Sequence, residues 1–170
     1  TGERKMNYMH IVHPFEPLYD EQSQILILGS FPSVRSREQG FFYGHPRNRF
    51  WKVTAGICQQ PVPQTIEEKK EFLLRQHIAL WDVIYSCDIQ GSSDSSIRNA
   101  VPTDLAQVMR TAPIKAVYCN GCTSGSLYAR YQQKQTGIEA VTLPSTSPAN
   151  AAWNLERLID AWRVIRETAE

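Results

Sequence analysis

The chain alternates between short, continuous apolar runs and longer stretches with helical spacing. Ile25-Leu26-Ile27-Leu28-Gly29 is apolar throughout and ends in glycine, the pattern of a strand buried on both faces. Asn48 to Ile57 predicts a helix with Phe50, Trp51, Val53 and Ile57 inward, Pro46 just ahead of it and Asn48 as candidate N-cap. Pro61 and Pro63 break the chain, and Thr65 to Gln76 predicts a second helix. Ile78 to Ile84 is a second apolar run, and Gly91 to Ser96 is polar and loop-like. Thr103 to Thr111 predicts a helix capped by Thr103. Ile114 to Tyr118 reads as a third strand, Ser124 to Gln135 as a helix and Ile138 to Leu143 as a fourth strand. Asn154 to Thr168 closes the chain as an amphipathic helix with Leu155, Leu158, Ile159, Trp162 and Ile165 inward.

Apolar strands alternating with helices predict an α/β protein. The expected form is a three-layer α/β/α sandwich around a short, mostly parallel sheet of about four strands. Such sheets bind ligands beyond the carboxyl ends of their strands. Polar segments beginning at Gly29, near Ser86 and at Pro144 fall there, so a site should be built from them.

The 170 residues fit one domain, with 42% hydrophobic residues, enough for a packed core. Thr1 to Lys5 reads as a tag remnant or disordered start, and Met6 as the native initiator of a single domain over 6–170. No run approaches the ~20 apolar residues of a membrane helix, and there is no signal-peptide pattern. A cytoplasmic or nuclear protein is expected, with no membrane partner, and a monomer.

Charge changes the picture locally. The whole chain carries +1, yet residues 35–52 hold five cations (Arg35, Arg37, Arg47, Arg49, Lys52) against Glu38 alone. That segment is therefore +4 and the remainder −3. Phe41, Phe42, Tyr43, Phe50 and Trp51 are interleaved with the cations, a combination that neutralises phosphates and stacks bases. The competing reading is a solvated basic loop over a core aromatic cluster. Leu143-Pro-Ser-Thr-Ser-Pro-Ala-Asn150 sets small hydroxyl residues between two prolines, either to approach a phosphate backbone or as a plain strand-to-helix turn with Ser147 as cap.

Other chemistries find little support. Cys119-Asn-Gly-Cys122 has metal-site spacing, but only His10 and His13 could complete it, and both thiols read better as core or turn residues. The P-loop, the dinucleotide fingerprint, the serine-hydrolase elbow and HExxH are all absent. Asp82 follows an apolar run and reads as a cap for the next element.

Gly29-Ser30-Phe31-Pro32, followed by Gly40-Phe41 and His45-Pro46-Arg47-Asn48-Arg49-Phe50-Trp51-Lys52, resembles the uracil-DNA glycosylase superfamily. The spacing is similar to the mismatch-specific branch. Together with the serine loop at 143–150, it more closely resembles the hypoxanthine (deoxyinosine) glycosylases, family 6. The likeness runs from about Ile25 to Trp162. Phe31 stands where mismatch-type members carry a catalytic Asn, and the first-motif Asp and late-motif His of the main uracil branch have no counterparts. The resemblance moves the catalytic role to Asn48. It implies no iron–sulfur cluster, since no Cys precedes Cys58, and no other cofactor.

The resemblance implies damaged DNA as partner and hydrolysis of an N-glycosidic bond after base flipping. Tyr43 would stack on the flipped base, with Gly29, Ser30, Phe31 and His45 also base-binding. Backbone groups of Ser30 and Phe31 would favour the developing anion. Asn48 would position water or bond the base or sugar. Ser145, Thr146 and Ser147 would grip phosphates, with Arg47 and Arg49 as further phosphate contacts, unless one of them pairs with Asp82. Hypoxanthine is the expected lesion and uracil the second. A non-catalytic single-strand-binding module and a nucleoside enzyme are the competing functions.

Overall fold

The computed structural model describes residues 7–169, so the expectations for Thr1–Lys5 and Met6 lie outside it. Its strands are β1 (Met9–Val12), β2 (Ile25–Gly29), β3 (Ile78–Asp82), β4 (Ile84–Ile89), β5 (Arg98–Pro102), β6 (Ala116–Asn120) and β7 (Val141–Leu143). Its helices are α1 (Val34–Gln39), α2 (Phe50–Cys58), α3 (Ile66–Arg75), α4 (Ala106–Thr111), α5 (Cys122–Tyr131), α6 (Gln133–Thr136), α7 (Leu155–Trp162) and α8 (Val164–Ala169).

The expected parallel sheet has the order β3-β2-β6-β7. β2 lies inside it, and Ile25, Leu26, Ile27 and Leu28 are fully buried, each side chain worth about 1.5–3 kcal/mol of burial. Alternation along β6 sends the Tyr118 hydroxyl to the Val164 carbonyl of α8, and Cys119 toward Tyr128 of α5. Helices therefore cover both faces, the three-layer sandwich. α2 packs on α7 where Gly56 meets Ile159, and Trp162 is completely buried between α7 and Phe50.

Helix ends follow local chemistry. Thr65 and Glu68 form a reciprocal capping box at the start of α3. Several boundaries differ from expectation: α2 starts at Phe50, β6 runs Ala116–Asn120 where 114–118 was expected, and β7 keeps only Val141–Leu143 of the expected 138–143. α4 starts at Ala106, because the buried Thr103 hydroxyl donates to the Asp82 carbonyl (2.7 Å) instead of capping; Asp104 accepts from the Ala106 amide. The closing helix divides at Arg163, and the expected helix over 124–135 divides at Gln132, without changing which residues are buried.

A second sheet was not expected. β1, β4 and β5 pair antiparallel in the order β1-β4-β5 over a small core of Phe31, Ile84, Cys87 and Ile89. The chain passes from β3 into β4 at Val83, whose amide donates to the Gly29 carbonyl (2.8 Å). This sheet carries the 91–96 segment, with a 3-10 turn at Asp94–Ser96, to the rim of the parallel sheet. Among the described residues, no helix is long and apolar enough to cross a membrane.

Candidate active site

The carboxyl ends of the four parallel strands open into a cleft of about 910 Å³. Gly29, Asp82, Asn120 and Leu143, the last residues of β2, β3, β6 and β7, all border it. This is where a parallel sheet presents a ligand site. The 41–48 segment, the 92–95 turn and the 142–150 loop form its walls.

Asn48 sits just ahead of α2. Its Oδ1 accepts from the Phe50 amide (2.9 Å) and from the Thr146 hydroxyl (2.8 Å). Thr146 in turn accepts from Asn120 Nδ2 (3.0 Å), and the Thr146 amide donates to Asn120 Oδ1 (3.0 Å). Both groups on Asn48 Oδ1 are donors, which fixes the amide's orientation. Its Nδ2 has no partner among the described residues and remains a donor at the cleft. The N-cap of α2 is Arg49, without a side-chain cap bond, so Asn48 is not the expected cap; from one position earlier its Oδ1 takes the first amide of the helix while its other end borders the cleft.

Tyr43 has a left-handed backbone (φ 53°) and stacks on Phe50, with ring centroids 4.0 Å apart and planes at 20°. Burial drives its phenol far above the ordinary value, and the charge of Asp82 adds to this. The Asn120 side chain offsets part of it without closing a hydrogen bond. Tyr43 is therefore a neutral ring. His45 accepts from the Arg47 amide at Nδ1 (3.0 Å), which leaves the proton on Nε2.

Two acids complete the floor and rim. Asp82 is 3% exposed, and its Oδ2 accepts from His13 Nε2 at 2.7 Å. Asp94 accepts from the Ser30 hydroxyl (2.8 Å). The residue stands on the exposed rim of the cleft. Desolvation raises its pKa, Ser30 offsets part of this, and Asp82 adds to it. No group of three or more metal-ligating side chains occurs among the described residues. His13 is spent on Asp82, Cys119 is buried and Cys122 is exposed.

A family model described as the uracil DNA glycosylase superfamily matches residues 16–166. The chain belongs to that superfamily. A Methanosarcina acetivorans protein named hypoxanthine DNA glycosylase is 32% identical over 145 residues, covering 84% of this chain and 90% of the relative. One of the same name from Methanosarcina barkeri is 34% identical over 140 residues, covering 80% and 86%. A solution NMR structure from M. acetivorans, of a candidate uracil DNA glycosylase, superposes with a TM-score of 0.80 at 30% identity. It covers 95% of this chain and all of the other.

Against the superfamily resemblance, the structure gathers Gly29, Ser30, Phe31, Tyr43, His45, Asn48, Ser145, Thr146 and Ser147 around one cleft. Three placements correct expectation. Arg49 does not face outward: its guanidinium donates to the carbonyls of Thr146, Ser147 (2.8 Å), Asn150 (3.1 Å) and Trp153, because the loop's turns leave these acceptors converging on it. Nor does either arginine pair with Asp82, which His13 occupies. Thr146 is fully buried between Asn48 and Asn120, so its hydroxyl cannot grip a phosphate.

Other members of the basic segment divide similarly. Arg37 donates to the Gly91 carbonyl (3.0 Å), whereas Arg35, Arg47 and Lys52 are exposed. Ser145 and Ser147 each accept from a backbone amide within the loop and keep their own protons for an outside acceptor. Sequence reasoning missed the His13–Asp82 pair, Asp94 and Asn120. The available signal was position: Asp82 and Asn120 each close a buried strand.

Proposed function

We propose that this chain is a monofunctional DNA glycosylase that hydrolyses the N-glycosidic bond of a deaminated base flipped out of DNA, hypoxanthine first and uracil second, leaving an abasic site. One observation carries the reading: the free Asn48 amide donor and the Tyr43 ring border the same strand-end cleft. The two relatives named hypoxanthine DNA glycosylase support the choice of lesion.

The flipped base stacks on the Tyr43 face that Phe50 leaves open, and unstacking costs least for a mispaired base. Asn48 Nδ2 donates to an acceptor on the base or to the attacking water. As the C1′–N bond lengthens, electrons pass to the base, and a fixed donor stabilises that charge without reorganising. Water then adds to the oxocarbenium-like C1′. Arg47, Lys52 and the Ser145 and Ser147 hydroxyls hold the flanking phosphates.

The test is base release in EDTA from duplexes holding one deoxyinosine or one deoxyuridine, read as alkali-labile breaks, with free deoxyinosine as a further substrate. Breaks at deoxyinosine, with the free nucleoside untouched, are expected. Breaks at deoxyuridine alone move the lesion, and DNA binding without any break overturns the reaction.

Thr146 acts here as a positioning residue. Thr146→Val keeps its shape but deletes the hydroxyl between Asn120 and Asn48. The single-turnover rate is expected to fall about 10- to 100-fold, as for loss of one buried hydrogen-bonding group. DNA affinity should change less than about 3-fold, since Thr146 offers DNA no hydroxyl, and Thr146→Ser should recover the rate. A fall in affinity matching the fall in rate would contradict the role.

A further inference from the structure

Asp82 and Asp94 are the two acids that border the cleft among the described residues, and they stand at different depths. The Asp82 side chain is 5% exposed at the end of β3, with one oxygen on His13. Asp94 stands on the exposed rim, where its Oδ2 accepts from Ser30 and its Oδ1 has no donor among the described residues. The turn that carries Asp94 is pinned to α1: the Val34 amide donates to Ser92 Oγ (2.9 Å), and Arg37 donates to the Gly91 carbonyl (3.0 Å). The rim carboxylate is therefore held in place. Depth decides what each acid meets. The Tyr43 hydroxyl lies over Gly29 on the floor, 3.1 Å from where a Cβ would stand. A base stacked on that ring enters edge first and leaves its sugar at the rim, level with Asp94. Burial and Asp82 dominate the upward push on the Tyr43 phenol, and the charge of Asp94 reaches far enough to add to it. A carboxylate at the mouth of a site for a polyanion weakens binding, because it repels phosphates. It offsets that loss only by acting on something that turns positive, which the sugar does as its glycosidic bond lengthens.

We propose that Asp94 is a further catalytic residue, whose free Oδ1 takes the proton of the attacking water and whose charge faces the sugar as that ring turns cationic. The inference rests on the glycosylase reading. The C1′–N bond breaks with its electron pair going to the base. The water oxygen bonds to C1′, one of its O–H bonds breaks, and that proton passes to Asp94 Oδ1, from which solvent removes it. The base leaves as an anion and takes a proton from solvent. Other cleft groups are unsuited to the task. His45 Nδ1 is taken by the Arg47 amide, and the Tyr43 phenol is neutral. Asp82 lies too deep to meet the sugar. Desolvation lifts the Asp94 pKa, Ser30 offsets part of this and Asp82 adds to it, so the carboxylate is a stronger base than an ordinary aspartate. Its attraction to the sugar is absent from the ground state and grows with the charge, so it lowers the barrier without tightening substrate binding.

The experiment uses Asp94→Asn, which keeps an oxygen for the Ser30 hydroxyl and removes the charge. Its single-turnover rate on a deoxyinosine duplex is expected to fall about 10²- to 10³-fold, the scale of a positioned base. Its affinity for a duplex holding a neutral tetrahydrofuran in place of the nucleoside should hold, or rise by up to about 2-fold as one repulsive charge is lost. A second duplex holds a pyrrolidine there, protonated on its ring nitrogen, as a mimic of the cationic sugar. The wild-type protein should bind it at least about 10-fold more tightly than the tetrahydrofuran duplex, and Asp94→Asn should bind the two within about 3-fold of each other. A variant within about 3-fold of the wild-type rate, or one that keeps the preference for the cation, overturns the inference alone. A rate loss matched by a loss of affinity assigns Asp94 to holding the rim and overturns it too. A wild-type protein that releases no base from the deoxyinosine duplex overturns the glycosylase reading for that lesion, and the inference with it.

Discussion

Asn48→Ala is expected to lower base release from a deoxyinosine duplex by about 10²- to 10³-fold, the cost of deleting one preorganised donor that meets developing charge. The same change removes the acceptor for the Phe50 amide at the start of α2 and for the Thr146 hydroxyl. Losing this acceptor costs about 1 kcal/mol, which a protein of this size shows as a drop of roughly 2–4 °C in Tm. A folded, DNA-binding and nearly inactive variant is therefore the expected result. Asn48→Asp sharpens the test. One carboxylate oxygen would still serve Phe50 and Thr146, and the other would put an acceptor where Nδ2 stood. If the donor is what matters, Asn48→Asp should be as slow as Asn48→Ala. An active aspartate variant would show that the group at position 48 works by accepting from water.

Replacing Arg49 should produce the largest structural effect. Its guanidinium, planar and rich in donors, joins four carbonyls of the 146–153 segment, and its own amide donates to the Thr146 carbonyl (3.1 Å). Arg49→Ala leaves these half-buried acceptors without their shared donor, at a cost of about 3 kcal/mol after partial rescue by water. The expected fall in Tm is about 6–12 °C. Arg49→Lys should recover little, because an ammonium on a flexible stem cannot span four acceptors that a rigid fork reaches. Activity should fall in both variants, since Thr146 would lose its place beside Asn48. Differential scanning calorimetry with single-turnover kinetics checks both. A lysine variant melting within 2 °C of wild type with full activity would mean that the prolines alone hold the loop.

The legible parts of the fold were those whose burial leaves a pattern. β2 is covered on both faces, so Ile25 to Leu28 are uniformly apolar, and the cleft begins where that run meets Gly29. The antiparallel sheet left no such trace. β4 changes register between Ile84 and Ser86 and again between Ser86 and Asp88, which breaks the two-residue alternation. β5 is mostly exposed and ends in Pro102. Asn48 and Tyr43 were reached through resemblance of a motif compact in sequence. Asp82 and His13 lie 69 residues apart, and only the folded register of β3 beside Gly29 shows that the acid faces a ligand site. Arg49 illustrates the opposite error: a cation in a basic segment looks available to phosphate until the carbonyls that surround it are in place.

The Asn48–Thr146 hydrogen bond spans 98 residues of chain. At the ribosome, where elongation proceeds at about 5–20 residues per second, Thr146 follows Asn48 by roughly 5–20 s. Until then the nascent chain holds Tyr43, the basic segment and the local Phe50 donor, but not the Thr146 hydroxyl that completes the orientation of the amide at position 48. A chain released early would bring cations and aromatics to DNA with the position-48 donor held from one side only. The reaction is thus withheld from incomplete copies by connectivity alone.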